Sequence, residues 1–335
     1  MKTTTPAALQ DAIGHSDAFL RFQEDLSKAA RIDRPVLIIG ERGTGKELAA
    51  ARLHYLSPRW QGPYIPLNCA ALPVSLMDSE LFGHEAGAFT GAMSRRKGYF
   101  EQADTGTLFL DEIANLDLQA QAKLLRVVEY GVFDRVGGST PVEVSVRLIG
   151  ATNADLPQLA REGKFKEDLL DRLSFEVLTL PPLRCREGDV DLLVHHFATR
   201  MAVSMGHDAR PEFTSQAMAA LRAHHWPGNV RELRNVVERA VYRAGGERVT
   251  SIDFDPFGTG PGPMQTTAPA GASPAAAPSL LDPDLSLPEA VRRLEKAYLQ
   301  NALERSRYNQ KQAAGLLGLT YHQFRSLYRR LGRDA

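Results

Sequence analysis

Three clusters of residues have the types and spacing to do chemistry. The first, Gly40-Glu41-Arg42-Gly43-Thr44-Gly45-Lys46, follows an apolar run at 36–39 and leads into a helical pattern at 47–56. A strand, a glycine-rich turn and a helix start in that order aim backbone amides at phosphate oxygens, and Lys46 adds positive charge for the terminal phosphates. Alone the pattern is a modest signal, because glycine is common enough for Gly-x4-Gly-Lys to arise by chance in roughly a tenth of chains this long. The second cluster gives it weight: Thr107-Leu-Phe-Leu-Asp111-Glu112 is an apolar strand ending in two acids. Paired carboxylates at a buried strand end call for a cation, and Mg²⁺ brought by ATP supplies one. Asp111 would then hold the Mg²⁺ shell while Glu112 orients and deprotonates the attacking water. The bland alternative is a solvated strand end. The third cluster, Gly87-Ala88-Phe89-Thr90-Gly91-Ala92, sets one aromatic among small residues. Its neighbours at 81–85 and 98–101 have neither strand nor helix periodicity, which predicts a long surface loop carrying function.

Residues so spaced need a scaffold that brings strand ends together. Apolar β-type runs at 36–39, 107–110, 146–151 and 177–180 alternate with amphipathic stretches of helix length, the pattern of an α/β fold with a parallel sheet. After Pro182 the strands stop, and helical patterns at 189–204, 214–224 and 229–244 predict a helical lid. Residues 256–287 turn to Pro, Gly, Ala, Ser and Thr and read as a flexible linker, spanning ~30 Å if it behaves as a Gly-type coil. An amphipathic helix follows at 288–306; Asn309 can cap a second at 310–317, Gly318-Leu319 makes a turn, and Thr320 caps a third at 321–331. Two short helices across a glycine turn, the last one basic, form a helix-turn-helix. Tyr321, His322, Gln323 and Arg325 would meet base edges, and Arg329 and Arg330 phosphates. A three-helix oligomerisation module is the alternative. The expected divisions are therefore 1–182, 183–255, 256–287 and 288–335.

Charge supports the last of these. The 335-residue chain has no net charge, yet residues 288–335 hold ten Lys and Arg against four acids, so that segment is +6 and the rest −6. A basic tail on an acidic body suits a polyanion. The polar start of the chain and the lack of a long apolar run predict a cytoplasmic protein with no membrane insertion. Cys69 and Cys185 are too far apart in sequence, and lack the spacing, for a zinc site, and both are expected to pack in the interior.

Residues 87–92 resemble the GAFTGA loop of AAA+ activators of sigma-54 RNA polymerase, a sequence rarely met outside that family. The likeness runs from the first strand to the last helix, through Ile39-Gly-Glu-Arg-Gly-Thr-Gly-Lys-Glu-Leu, His54-Tyr-Leu-Ser, Arg59-Trp-Gln-Gly-Pro, Trp226-Pro-Gly-Asn-Val-Arg-Glu-Leu and Leu319-Thr-Tyr-His-Gln-Phe-Arg. It implies an AAA+ P-loop sheet with a helical lid, a linker and an all-α helix-turn-helix of the Fis type. It also implies roles. Glu47 stands where many phosphate loops place Ser or Thr, as it does in this family. Asn68 would restrain the catalytic Glu, and Thr152 and Asn153 would form the sensor at the end of the next strand. Without the resemblance, Asn68 and Thr152 read equally well as turn residues or caps. Arg231 would sense the γ-phosphate from the lid, and Arg172 would be an arginine finger on a neighbouring subunit's ATP. Lys166 stands where many members carry a second finger; it lacks the planar two-pronged geometry of Arg and fits either that role or an exposed helix lysine. A finger acting in trans needs a head-to-tail interface, and the resemblance makes the closed ring a homo-hexamer. Phe89 and Thr90 would touch sigma-54, while the tail binds enhancer DNA.

The likeness is nearest to the phage-shock branch, in which the AAA+ module has no receiver or ligand-sensing segment ahead of it. That implies control by another protein, a negative regulator of the phage shock protein A kind. Trp60 fits either a contact for that partner or core packing. Two other functions compete: a DNA-binding regulator of ordinary promoters whose ATPase only controls assembly, and a clamp-loader or helicase-type motor. The intact 87–92 loop opposes the first, and the acidic charge of the AAA+ part opposes the second.

Overall fold

The computed structural model describes residues 12–207, 211–256, 295, 298–299, 302–303, 306 and 310–331. The expected linker beyond Pro256, most of the helix at 288–306, the Asn309 cap and the Arg329 side chain lie outside the described residues. The chain divides into two compact units at 260/261.

The first unit is built on five parallel strands in the order β2 (Tyr64–Asn68), β3 (Thr107–Asp111), β6 (Arg147–Thr152), β1 (Val36–Ile39) and β7 (Val177–Thr179). Their apolar residues alternate between two cores, as strand geometry requires. Leu37, Leu108, Leu110 and Leu148 enter one core, while Val36, Ile38, Phe109, Ile149 and Ala151 enter the other. Burial on both faces removes the in/out polarity of these strands, so they read as apolar runs. Strand β2 was not visible as one because Pro66 interrupts it; it lies at the sheet edge, where a missing N–H is tolerated. A hairpin of β4 (Val132–Asp134) and β5 (Pro141–Glu143) stands apart from the sheet.

Helices cover both faces: α1 (Asp17–Ala30), α2 (Lys46–Tyr55), α3 (Val74–Phe82), α4 (Tyr99–Gln102), α5 (Leu118–Tyr130), α6 (Leu156–Arg161) and α7 (Glu167–Leu173). Arg147, almost wholly buried, donates to the carbonyls of Ala29 and Ala30 at 2.8 and 3.0 Å, so a guanidinium satisfies the open C-terminal end of α1. The lid consists of α8 (Asp189–Ser204), α9 (Ser215–Ala223) and α10 (Asn229–Ala244) around Leu193, Phe197, Trp226 and Leu233. Fully buried Asp189 joins the lid to the segment before α1, accepting from the backbone of His15 and Ser16 and from Arg186.

In the second unit, α11 (Gln310–Leu316) and α12 (Tyr321–Leu331) pack through Ala313, Ala314 and Phe324 against Leu299, Ala302 and Leu303. Among the described residues, no helix is long and apolar enough to cross a membrane. The expectation for the cysteines is half corrected: Cys69 is buried, but Cys185 lies exposed in the turn entering the lid.

Candidate functional site

Because β1, β2, β3 and β6 are parallel, their carboxyl ends lie along one edge, with Gly40, Asn68, Asp111 and Thr152 side by side. Ligands of open α/β sheets bind at such an edge. The glycine-rich turn leaves β1 with Gly43 and Gly45 at φ of 79° and 106°. Thr44 Oγ1 closes the turn onto the Glu41 carbonyl at 2.8 Å. Buried Lys46 donates to the Gly40 and Glu41 carbonyls at 2.9 and 3.4 Å, so its ammonium sits inside the curl of the loop. The lid grips this loop directly: the Arg231 backbone N–H donates to the Gly43 carbonyl at 3.2 Å, and Asn229 Nδ2 to Glu41 and to the Arg42 carbonyl at 3.0 and 3.1 Å. Arg184 makes a two-pronged pair with Glu41. These hydrogen bonds, from Arg184 first and Asn229 second, hold the Glu41 carboxyl down at about 2. Glu47, the first-turn acid of α2, is exposed.

The parallel register sets Asn68 opposite Asp111. Asn68 Nδ2 donates to Asp111 Oδ2 at 3.4 Å, and its Oδ1 accepts the Ala70 N–H at 2.9 Å. In this structure the Asn68 amide reaches Asp111, the neighbour of Glu112. The reason is geometric: the chain leaves the strand at Glu112, which adopts a left-handed φ of 52°, while Asp111 Oδ1 accepts the Glu112 N–H at 3.1 Å. Such a conformation in a non-glycine residue marks a strained position of the kind found at functional sites. The Glu112 carboxylate makes no hydrogen bond among the described residues. Nor do three His, Cys, Asp or Glu side chains converge there into a metal cage. Two acids at an open edge suit an ion that draws most of its oxygens from water and phosphate, which is how Mg²⁺ binds.

Thr152 is fully buried; its Oγ1 accepts the Ala154 N–H at 3.0 Å, its carbonyl accepts the Gly40 N–H at 3.2 Å, and exposed Asn153 follows. Thus the turn, the acid pair, Thr152 and Arg231 gather at one edge. Arg172 and Lys166 do not join them. Lys166 precedes α7, its N–H bonded to Gln121 Oε1 at 2.8 Å, and the exposed Arg172 is paired with Glu129 of α5 at 2.8 Å.

The long loop expected over 81–101 is shorter than that. Leu81 and Phe82 end α3, Tyr99 and Phe100 start α4, and Phe82 and Phe100 stack in the core at 5.4 Å. Between them His84 and Arg96 exchange backbone hydrogen bonds at 3.1 and 3.0 Å, forming the legs of a projection. At its tip the Gly87 N–H donates to the Ala92 carbonyl at 2.8 Å and the Ala92 N–H to the Phe89 carbonyl at 3.0 Å, with Gly87 and Gly91 at φ of 81° and 104°. Ala88 lies against Gly137 beyond β4, and Ala92 is buried. Phe89 is 42% exposed, its ring edge-on to His84 at 5.0 Å; Thr90 is exposed and Met93 is 95% exposed. At the foot, the guanidinium of Arg135 pairs with Glu101 at 2.7 Å and Glu85 at 3.0 Å, all three near the base of the projection. This clamp was not foreseen, and neither were Asn229 and Arg184; only their adjacency to the lid motif and to Pro182 hinted at the last two. Trp60 is 55% exposed, which removes core packing as its role.

In the second unit Thr320 and Gln323 form a reciprocal cap: Gln323 Oε1 accepts the Thr320 N–H at 3.0 Å and its hydroxyl at 2.9 Å, and Thr320 Oγ1 accepts the Gln323 N–H at 3.4 Å. Tyr321, His322 and Arg325 are exposed on the first turns of α12. Arg330 is paired with Glu295 at 2.7 Å.

A P-loop at the carboxyl edge of a parallel sheet, with a helical lid gripping it, defines an AAA+ ATPase. Comparison with known proteins agrees and goes further. A family model described as a sigma-54 interaction domain matches residues 12–179, an AAA+ ATPase lid domain matches 184–267, and the bacterial regulatory protein, Fis family, matches 290–333. The Psp operon transcriptional activator of Escherichia coli K12 is 54% identical over 320 residues, covering 95% of this chain and 97% of that protein. The Nif-specific regulatory protein of Azotobacter vinelandii is 43% identical over 93% of this chain, which spans 57% of that longer protein. A solved structure of NtrX from Brucella abortus in complex with ADP matches at a TM-score of 0.70 and 33% identity, covering 96% of this chain and 69% of that one. The chain belongs to the family of sigma-54-dependent transcriptional activators, with an AAA+ ATPase domain, its lid and a Fis-type helix-turn-helix.

Proposed function

We propose that this protein binds enhancer DNA and uses ATP hydrolysis to convert the closed complex of sigma-54 RNA polymerase into an open one, at the promoter of a psp-type operon. Support for the target operon comes from the similarity to the Psp operon activator. In this reading residues 40–46 cradle ATP, Glu112 positions and deprotonates the attacking water, Asp111 holds Mg²⁺, Thr152 and Asn153 report on the γ-phosphate, and Arg231 contacts it from the lid. Bound Mg²⁺ would neutralise phosphate charge as the leaving group departs. Arg172, and Lys166 by charge, act on a neighbour's ATP in a head-to-tail hexamer; the exposed position of Arg172 on α7, with half-buried Lys166 just before the helix, suits that use. Tyr321, His322 and Arg325 read base edges, with Thr320 and Gln323 setting the start of the reading helix and Arg329 and Arg330 on the backbone. The working divisions remain 1–182, 183–255, 256–287 and 288–335. Trp60 is a contact for a negative regulator of the phage shock protein A type, and the protein works in the cytoplasm.

The observation that carries this reading is the projection at 87–92, its Phe89 and Thr90 exposed and its foot clamped to the ATPase body through Arg135. Open-complex formation with sigma-54 polymerase, ATP and supercoiled promoter DNA tests it. Thr90→Ala is expected to keep ATPase and DNA binding and lose activation; full activation by that variant would overturn the contact. Full activation by Glu112→Gln, with hydrolysis gone, would instead favour the assembly-only alternative.

A further inference from the structure

Asn229 is fully buried and holds a left-handed φ of 51° at the start of α10. Its side chain uses both ends. Oδ1 accepts the Leu183 N–H at 2.8 Å, where the chain enters the lid, and Nδ2 donates to Glu41 Oε2 at 3.0 Å and to the Arg42 carbonyl at 3.1 Å. Glu41 in turn carries the two-pronged pair with Arg184, one residue from Leu183. Two residues past Asn229, the Arg231 backbone closes on Gly43. The phosphate loop, the chain entering the lid and the start of α10 are thus joined through one amide and one ion pair.

We propose that Asn229 and the Glu41–Arg184 pair are positioning residues for nucleotide recognition: together they latch the phosphate loop to the lid and so set Arg231 over the terminal phosphate. The proposal rests on the reading of residues 40–46 as the cradle and of Arg231 as a γ-phosphate contact. The donor end of Asn229 is what the latch needs. An Asp there would retain the acceptor for Leu183 but put an oxygen against the Glu41 carboxylate, which Arg184 and Asn229 now keep ionised.

Kinetics of the full chain test the latch. Asn229→Asp is expected to raise KM for ATP by about tenfold or more, the size of a lost hydrogen bond to a charged group, with a smaller effect on kcat. It should also shrink the preference for ATP over ADP in nucleotide titrations, because only ATP has the phosphate that Arg231 would meet. Adding Glu41→Gln to Asn229→Asp restores a donor and removes the repulsion, so KM should fall below that of Asn229→Asp while staying above the parental value, because the ion pair with Arg184 is given up; a merely structural defect would not be relieved by a second substitution in the loop. Arg184→Gln, at an exposed position that leaves folding intact, should raise KM in the same direction. Unchanged KM and unchanged ATP preference in both Asn229→Asp and Arg184→Gln would overturn the latch. Arg231→Ala separates the layers: if it weakens ATP preference while those two variants do not, only the latch fails, and if it leaves the preference intact, the sensing role and the latch fail together.

Discussion

The molecule contains two glycine-rich loops that resemble each other in composition and differ in what the glycines are for. In the phosphate loop a Cβ on Gly43 would overlap the Gly228 carbonyl oxygen and lie 3.0 Å from Arg231 Cβ. In the projection, a Cβ on Gly87 or Gly91 would meet nothing within 4 Å. The first glycine permits close approach as well as a left-handed turn; the second pair permits the turn alone. The surroundings match: Thr44 and Lys46 are buried within the curl of the loop, whereas Phe89, Thr90 and Met93 face solvent. One loop is tied to the lid along Glu41, Arg42 and Gly43 and stays open at Gly45, where a small ligand can enter. The other is held at its foot and along one side through Ala88 and Ala92, which leaves Phe89, Thr90 and Met93 displayed to meet a partner.

The largest expected effect comes from breaking the first half of this contrast. Gly43→Ala combines left-handed strain with the overlap on the lid, so the loop must shift. A displacement of about an ångström at a reacting group costs on the order of 100-fold in rate. Steady-state ATPase should fall by about that factor and nucleotide affinity should fall with it. A variant with the parental rate would show that the cradle is not rigid.

The foot of the projection is the next place to press. Glu101 is buried beside Arg135; burial alone would raise its carboxyl, but the hydrogen bonds and charge of Arg135 outweigh that and hold it below the ordinary range. Removing the cation with Arg135→Gln leaves that acid only the Gly98 N–H and the more distant Arg95 guanidinium at 3.9 Å, a loss of up to about 3 kcal/mol, the low end for breaking a buried pair. The thermal midpoint measured at neutral pH should drop accordingly. Since the folded carboxyl is depressed, the pair's contribution is complete above the ordinary Glu range and disappears as the pH falls through the lowered folded value. Melting curves of the two proteins should therefore converge in acid. A gap that stays constant from neutral to acid pH would mean that Arg135 stabilises by packing alone.

Much of this architecture was legible in the amino acids, and what was not has physical causes. Strand β1 and helices α8, α10 and α12 fall where periodicity placed them, because each is amphipathic or apolar over its whole length. Strand β2 hid behind Pro66, and the hairpin β4–β5 is too short for alternation to show. In the site, the glycine turn and the acid pair announce themselves by composition, since phosphate chemistry leaves little choice of residue. The residues that hold them do not. Asn229, Arg184 and Arg135 act through partners far along the chain, Glu41 and Glu101 among them, and no local pattern marks a long-range hydrogen bond. The aromatic flanks at Phe82 and Phe100 misled for a related reason: each belongs to a helix that contributes only a few core residues, so their apolar content lacked a readable period.

The smallest expected effect bears on the second half of the contrast. At φ of 104° with open space around it, Gly91 can become Ala at the cost of backbone strain alone, about 1–2 kcal/mol. That strain has somewhere to go. The tip is joined to itself by the bonds between Gly87 and Ala92, between Ala92 and Phe89 and between Met93 and Gly91, so it can relax by opening these local bonds without disturbing the legs at His84 and Arg96. Gly91→Ala should therefore leave the thermal midpoint unshifted and ATPase within about twofold of the parent, and lower open-complex formation by about five- to tenfold, as the displayed conformation of Phe89 becomes less populated. If ATPase fell as far as it does in Gly43→Ala, the tip would have to be as firmly tied to the cradle as the lid is, and the division between a held loop and a free one would be lost.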